Sequence, residues 1–164
     1  MARAVPSHSI VITKAPEHRL SDFRREVLDT LEEELSRGCR NRLVLVVNEI
    51  VANILRHSQP VASEIRIDFT ARADRPCCVI RDNGGSFARF KNVWEGLGAK
   101  PFFGGSCIGL SLVKSFFPEA RYKPKNARQK FNEFILPLDR DDPRDLPAFF
   151  GKDKEETCRS RTIT

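Results

Sequence analysis

The order of hydrophobic periods along these 164 residues predicts an α/β (α+β) two-layer sandwich, with a mixed, mostly antiparallel sheet covered on one face by helices. Three observations carry that expectation. Helical periods are grouped early in the chain and strand periods late. One helical stretch, Leu43 to His57, is apolar on nearly every side, as expected of a helix sunk in a core. Glu64 to Arg72 alternates Ile65, Ile67 and Phe69 against polar neighbours, the pattern of a half-buried strand.

The elements follow in order. Residues 8–14, HSIVITK, read as an opening strand closed by Pro16. From Leu20 to Arg37 the apolar residues Phe23, Val27, Leu28, Leu31 and Leu35 recur at helical spacing, with Ser21 as N-cap and Gly38 as C-cap. A second helix runs from about Arg40 to His57, before Pro60. Strands follow at Glu64–Arg72 and Pro76–Arg81, the latter entering Asp82-Asn83-Gly84-Gly85. Phe87 to Gly105 is irregular and glycine-rich, with room for a short helix over Phe90–Leu97. Ser106 opens a further helix, stopped at Pro118, and strands at Ala120–Lys123 and Lys130–Leu138 end the fold. One domain, residues 1–138, is therefore expected, followed by a charged, flexible tail over 139–164 with Pro143 and Pro147. The open sheet face calls for solvent-tolerant residues or a partner subunit, so a homodimer is compatible with this layout.

Composition narrows the function. No apolar run is long enough to span a bilayer, and MARAVPSHSIVIT lacks the apolar stretch of a secretory signal, so a cytoplasmic protein without membrane partners is expected. Five cysteines, an odd number, with no CxxC pair and no histidine cluster, argue against a disulfide framework and against a zinc site. Cys77 and Cys78, adjacent on a strand, point to opposite faces. A net charge of +6 is compatible with a polyanionic ligand or an acidic partner. The basic residues are interspersed with acidic ones, however, and no nucleic-acid motif is present, so nucleic acid is not expected.

Three short motifs carry chemistry. In Glu49-x3-Asn53-x3-His57 the first two polar residues share one face of an apolar helix, with Arg42 and Arg56 near the same line. A carboxylate there is costly unless a cation or polar ligand answers it. Asn53 offers an amide oxygen for Mg²⁺, and Glu49 a base for a hydroxyl or water. His57 is the weakest member, since a histidine ending a helix is usually a cap or a surface contact. The second motif is Asp82-Asn83-Gly84-Gly85-Ser86-Phe87. Asn-Gly between apolar runs is a strong hairpin signal, and CCVIR and SFARF could flank such a turn. In the competing reading a strand ends on Asp82, whose carboxylate accepts from an exocyclic amine such as adenine N6, while the glycines admit the base. The third motif, Gly104-Gly105-Ser106-Cys107-Ile108-Gly109-Leu110, leads into a helix start whose free N–H groups suit an anion. It lacks the features of a Walker loop and of a dinucleotide fingerprint, and glycines at such a place also serve packing.

In this order, on this skeleton, the motifs resemble the Bergerat ATP-binding fold of the gyrase, Hsp90, histidine-kinase and MutL superfamily. Glu49–His57 resembles the N box, Asp82–Phe87 the G1 box and Gly105–Leu112 the G2 box, while Lys100–Phe103 resembles the F box of histidine kinases. The match covers roughly residues 8 to 138. Size and layout, HSIVITKAP before a helix, and the Glu-x3-Asn-x3-His form are most similar to the small anti-sigma-factor serine kinases. The resemblance implies ATP and Mg²⁺ as ligands, with Asn53 on the metal and Glu49 as the catalytic base. It places Asp82, Gly84 and Phe87 around the base, and Gly104, Gly105, Ser106, Cys107, Ile108, Gly109 and Leu110 around the phosphates. It further implies a STAS-type antagonist as protein substrate and a sigma factor as second partner. Three departures stand against it: Ser86 in place of the second G1 glycine, Cys107 in place of the middle G2 glycine, and no Gly-Thr pair near Gln129-Lys130-Phe131. The substitutions at 86 and 107 favour, as an alternative, a non-catalytic nucleotide-gated or degenerate binding module. A stand-alone histidine kinase catalytic domain is a further alternative, with only His8 and His18 as candidate acceptors before the N box.

Overall fold

The computed structural model describes residues 8–12, 25, 35–72, 75–98 and 108–139. The predicted helix over Leu20–Arg37, the Lys100–Phe103 segment, Gly104 to Cys107 and the tail from residue 140 lie largely or wholly outside them. Strand β1 (His8–Ile12) is followed by helix α1 (Arg37–His57), then β2 (Ile65–Arg72) and β3 (Arg75–Asp82). Helices α2 (Phe90–Gly96) and α3 (Ile108–Phe116) come next, and β4 (Arg121–Lys123) and β5 (Asn132–Pro137) complete the sheet. The strands stand in the order β1-β2-β3-β5-β4, and all four ladders are antiparallel. The expected parallel pairing of a mixed sheet therefore does not occur among the described residues.

The pleat sorts side chains by parity. The register aligns Ile67, Ile80 and Phe134 across three strands, with Phe69, Cys78 and Leu136 in the next row. These face α1, whose Leu43, Val46, Val47, Ile50 and Val51 are buried in the same core. A fully buried side chain of this size contributes about 1.5–3 kcal/mol. On the opposite face Arg81 bonds Glu133 at 2.9 Å and also pairs with Asp68. Ion pairs thus occupy the middle strands of this face, beside Val79, which is buried. No disulfide joins Cys39, Cys77 and Cys78, and burial pushes the Cys78 thiol up.

Two expectations change. Gly38, expected to end a helix, sits in the first turn of α1, which begins at Arg37 rather than about Arg40. The cause is Ser36, whose hydroxyl accepts the Cys39 N–H at 3.1 Å and so caps the helix start. The Asn-Gly hairpin does not form either. β3 pairs with β2 and β5, and the chain after Gly85 passes instead into α2.

Candidate functional site

The site is built around the last turns of α1. Glu49 and Asn53 lie one turn apart and both reach the first turn of α3. A Cβ on Gly109 would stand 2.9 Å from Glu49 Oε2 and 3.1 Å from Asn53 Nδ2. No side chain larger than hydrogen fits there without moving one of the pair. The two residues singled out in the N box and one glycine of the G2 segment are therefore in direct contact.

Five residues beyond Asn53, about 7.5 Å along the helix axis at 1.5 Å per residue, α1 ends at Ser58. This end meets the second motif. Ser58 Oγ accepts from Ala62 N–H at 3.1 Å, and a Cβ on Gly84 would lie 2.7 Å from the same oxygen. At Gly85 a Cβ would fall 1.9 Å from the Gln59 carbonyl oxygen, which excludes any side chain. The close approach that these glycines permit is therefore to the 58–62 loop of the chain itself, not primarily to a base. Asn83 fixes the same loop, accepting from the Ser63 and Glu64 N–H groups at 2.9 and 3.1 Å.

Asp82, the last residue of β3, is 5% exposed. Its Oδ1 accepts from Gly84 N–H at 2.9 Å and from Asn132 Nδ2 at 3.0 Å. Both bonds fall on one oxygen, so an exocyclic amine would have to meet Oδ2. Burial pushes the Asp82 carboxyl above its ordinary value, opposed by the Asn132 and Gly84 hydrogen bonds and by the charge of Lys125.

Asn132 is the residue that sequence reasoning missed. It is 1% exposed and opposes Asp82 in the β3–β5 register. Besides Asp82, its amide donates to the Gly84 carbonyl at 3.2 Å, while its Oδ1 accepts from Ser86 Oγ at 2.7 Å and Lys125 N–H at 2.9 Å. Ser86, where a glycine was expected, is thereby tied into the network holding Asp82. A signal was present: Asn132, Phe134 and Leu136 share one strand parity, so a lone amide heads the inward-facing row.

The remaining candidates are placed as follows. Phe87 donates its N–H to Tyr122 Oη at 2.8 Å, and its ring, 42% exposed, meets Phe90 edge-on with centroids 5.9 Å apart. Leu110 packs against the core, and Ile108 begins α3. Gly104, Gly105, Ser106 and Cys107 lie outside the described residues. Arg42 is buried, whereas Arg56 and His57 are exposed at the end of α1. Among the described residues no group of three or more His, Cys, Asp or Glu could hold a metal ion. No helix among them is long and apolar enough to cross a membrane.

The family model of the histidine kinase-like ATPase domain matches residues 12–130, and the chain belongs to that family. Members bind ATP, generally with Mg²⁺, and the fold is the α/β ATPase fold expected from the sequence. Among solved structures, the catalytic domain of histidine kinase ThkA in a nucleotide-free form is similar at 15% identity, with a TM-score of 0.45. That similarity covers 81% of this chain and 97% of the other. No curated protein matches the chain.

Proposed function

We propose that this chain is an ATP-dependent protein kinase of the anti-sigma-factor type. It phosphorylates a serine or threonine on a STAS-type antagonist and binds a sigma factor as second partner, in the cytoplasm and without nucleic acid or membrane. The observation that carries this reading is the convergence of Glu49 and Asn53 on Gly109. A carboxylate and an amide on one helix face, at the start of a second helix, suit a metal-bound phosphate tail and a hydroxyl to be deprotonated.

In this reading Asn53 presents its amide oxygen to Mg²⁺, which when bound neutralises phosphate charge. Glu49 orients the acceptor hydroxyl and takes its proton. Asp82 accepts from the purine amine through Oδ2 while Asn132 and Gly84 N–H hold the other oxygen. Gly84 and the Phe87 ring border the base, and residues Gly104 to Leu110 supply N–H groups to the phosphates. Catalysis by positioning and charge neutralisation asks for few reactive groups, which this set provides. The catalytic unit spans residues 1–138, with 139–164 as a tail.

A second reading is favoured by the same contact. Glu49 Oε2 lies against the first turn of α3, where the helix dipole stabilises a carboxylate and where a phosphate would compete for the place. A binding module needs no base, and Glu49 would then serve α1–α3 packing. Radiolabel transfer from ATP to a STAS-type substrate separates the two. The kinase reading expects transfer that Glu49→Ala abolishes while ATP binding persists. Intact ATP binding with no transfer by the unaltered chain supports the module.

A further inference from the structure

The basic residues alternate with acidic ones over most of the chain, but not between Glu119 and Glu133. Arg121, Lys123, Lys125, Arg128 and Lys130 fall within ten residues, and no Asp or Glu lies between Glu119 and Glu133. They form β4 and the turn into β5. β4 ends the strand order, so among the described residues one side of Arg121–Lys123 has no neighbouring strand. Arg121, Lys123, Arg128 and Lys130 are exposed, and no carboxylate among the described residues pairs with them.

This edge is held firmly. Lys125 differs from the other four cations: its Nζ donates to the Asn83 carbonyl at 3.0 Å and its N–H to Asn132 Oδ1 at 2.9 Å. At the turn, Asn126 Oδ1 accepts the N–H groups of Arg128 and Gln129 at 2.9 and 3.1 Å. Tyr122 anchors β4 from beneath, its ring centroid 4.9 Å from that of Phe90. Four exposed cations are thus carried by one ordered segment of ten residues.

Lysines on edge strands commonly guard against self-pairing, and a second copy of this edge would indeed set cation against cation. The same arrangement favours a strand of opposite charge. We propose that β4 and the following turn bind an acidic, extended segment of another protein. The segment adds beside β4, its main chain pairing with the open edge and its carboxylates meeting Arg121, Lys123, Arg128 and Lys130. A peptide can use the backbone groups of the edge along its length, whereas a nucleic acid cannot. The two rings of this stretch are already engaged: Tyr122 packs on Phe90 and Phe134, and the Arg66 guanidinium lies over the Phe131 ring, 5.0 Å from its centroid. This inference does not depend on the kinase reading.

Fluorescence anisotropy with a labelled decapeptide of alternating glutamate and valine tests it on the full chain. The expected result is saturable binding, weakened about tenfold by the double variant Arg121→Glu/Lys123→Glu and by raised salt. The turn variant Arg128→Glu/Lys130→Glu gives an independent reading should the strand variant fail to fold. A peptide of equal charge with proline at the valine positions is expected to bind about fivefold more weakly, because proline cannot donate to the edge. Equal binding of the proline peptide overturns strand addition. Indifference to both charge reversals, or tighter binding of an oligothymidylate than of the acidic peptide, overturns the proposed partner.

Discussion

Gly109→Ala separates stability from function at this site. The added methyl group would meet Glu49 Oε2 at 2.9 Å and Asn53 Nδ2 at 3.1 Å, both closer than an ordinary contact of about 3.4 Å, while Glu49 Cβ stays at 3.8 Å. Both crowded atoms are ends of side chains that can rotate away by a few tenths of an ångström, at about 0.5–1.5 kcal/mol each if they leave their rotamer wells. Against this, alanine gains little over glycine here, because Gly109 lies in the first turn of α3 and not in a helix interior, where the gain would be about 1 kcal/mol. The unfolding free energy should therefore fall by no more than about 3 kcal/mol. Function should change more, because the two displaced groups are those assigned to the metal and the acceptor hydroxyl. A misplacement of about 1 Å can cost about 100-fold in rate, so a loss of about tenfold or more in phosphotransfer is expected. Urea unfolding with and without Mg-ATP, alongside a transfer assay, reads both quantities. A folded variant with full nucleotide protection and full transfer would refute the assignment of Glu49 and Asn53.

Other consequences follow from the Asp82 corner and from α2. Asn132→Ala removes the donor to Asp82 Oδ1 and Gly84 O and the acceptor for Ser86 and Lys125. A loss of about 2–4 kcal/mol in urea unfolding is expected, and a change below about 0.5 kcal/mol would contradict the network. Because burial raises the Asp82 carboxyl, the native state holds that proton more tightly than the unfolded chain. Its stabilising contribution is therefore present below the ordinary carboxylate range and is lost as pH rises through the raised value; Asp82→Asn should flatten this slope in pH-dependent unfolding. ATP affinity should run the other way, weakening as pH falls through the same window, since the purine amine needs an ionised acceptor. Lys114 Nζ donates to the Trp94 and Leu97 carbonyls at 2.6 and 2.8 Å, closing the end of α2. Lys114→Met is expected to cost about 1–2 kcal/mol and to shift the fluorescence of Trp94, the chain's sole tryptophan; unchanged emission and stability would argue against that clamp.

Local periodicity made much of this architecture legible. The alternation in Ile65, Ile67 and Phe69 emerges from spacing, because burial on one face imposes it, whereas the long helix is legible from its apolar residues on nearly every side and the strand over Pro76–Arg81 from a short apolar run. The helix start at Ser36 was obscured by Gly38, which reads as a terminator, although a glycine in the first turn of a capped helix costs little. The Asn83-Gly84 dipeptide suggested a hairpin because turn chemistry is local, whereas the choice between turning back and moving on depends on β5, some fifty residues away. Asn132 was obscured for the same reason: its partners Asp82, Gly84 and Ser86 are remote in sequence. The meeting of Glu49 and Asn53 with Gly109 was accessible only through the resemblance of three motifs, since no periodicity within one helix specifies what lies opposite it.

Calorimetric titration with Mg-ATP, paired with thermal unfolding, addresses the central claim that one nucleotide site joins the end of α1 to Asp82. One site per chain is expected, with stabilisation of about 2.7 kcal/mol at a ligand concentration about 100 times the dissociation constant, and loss of both signals in Asp82→Asn. Absence of binding by the unaltered chain, or undiminished binding and protection in Asp82→Asn, would contradict it.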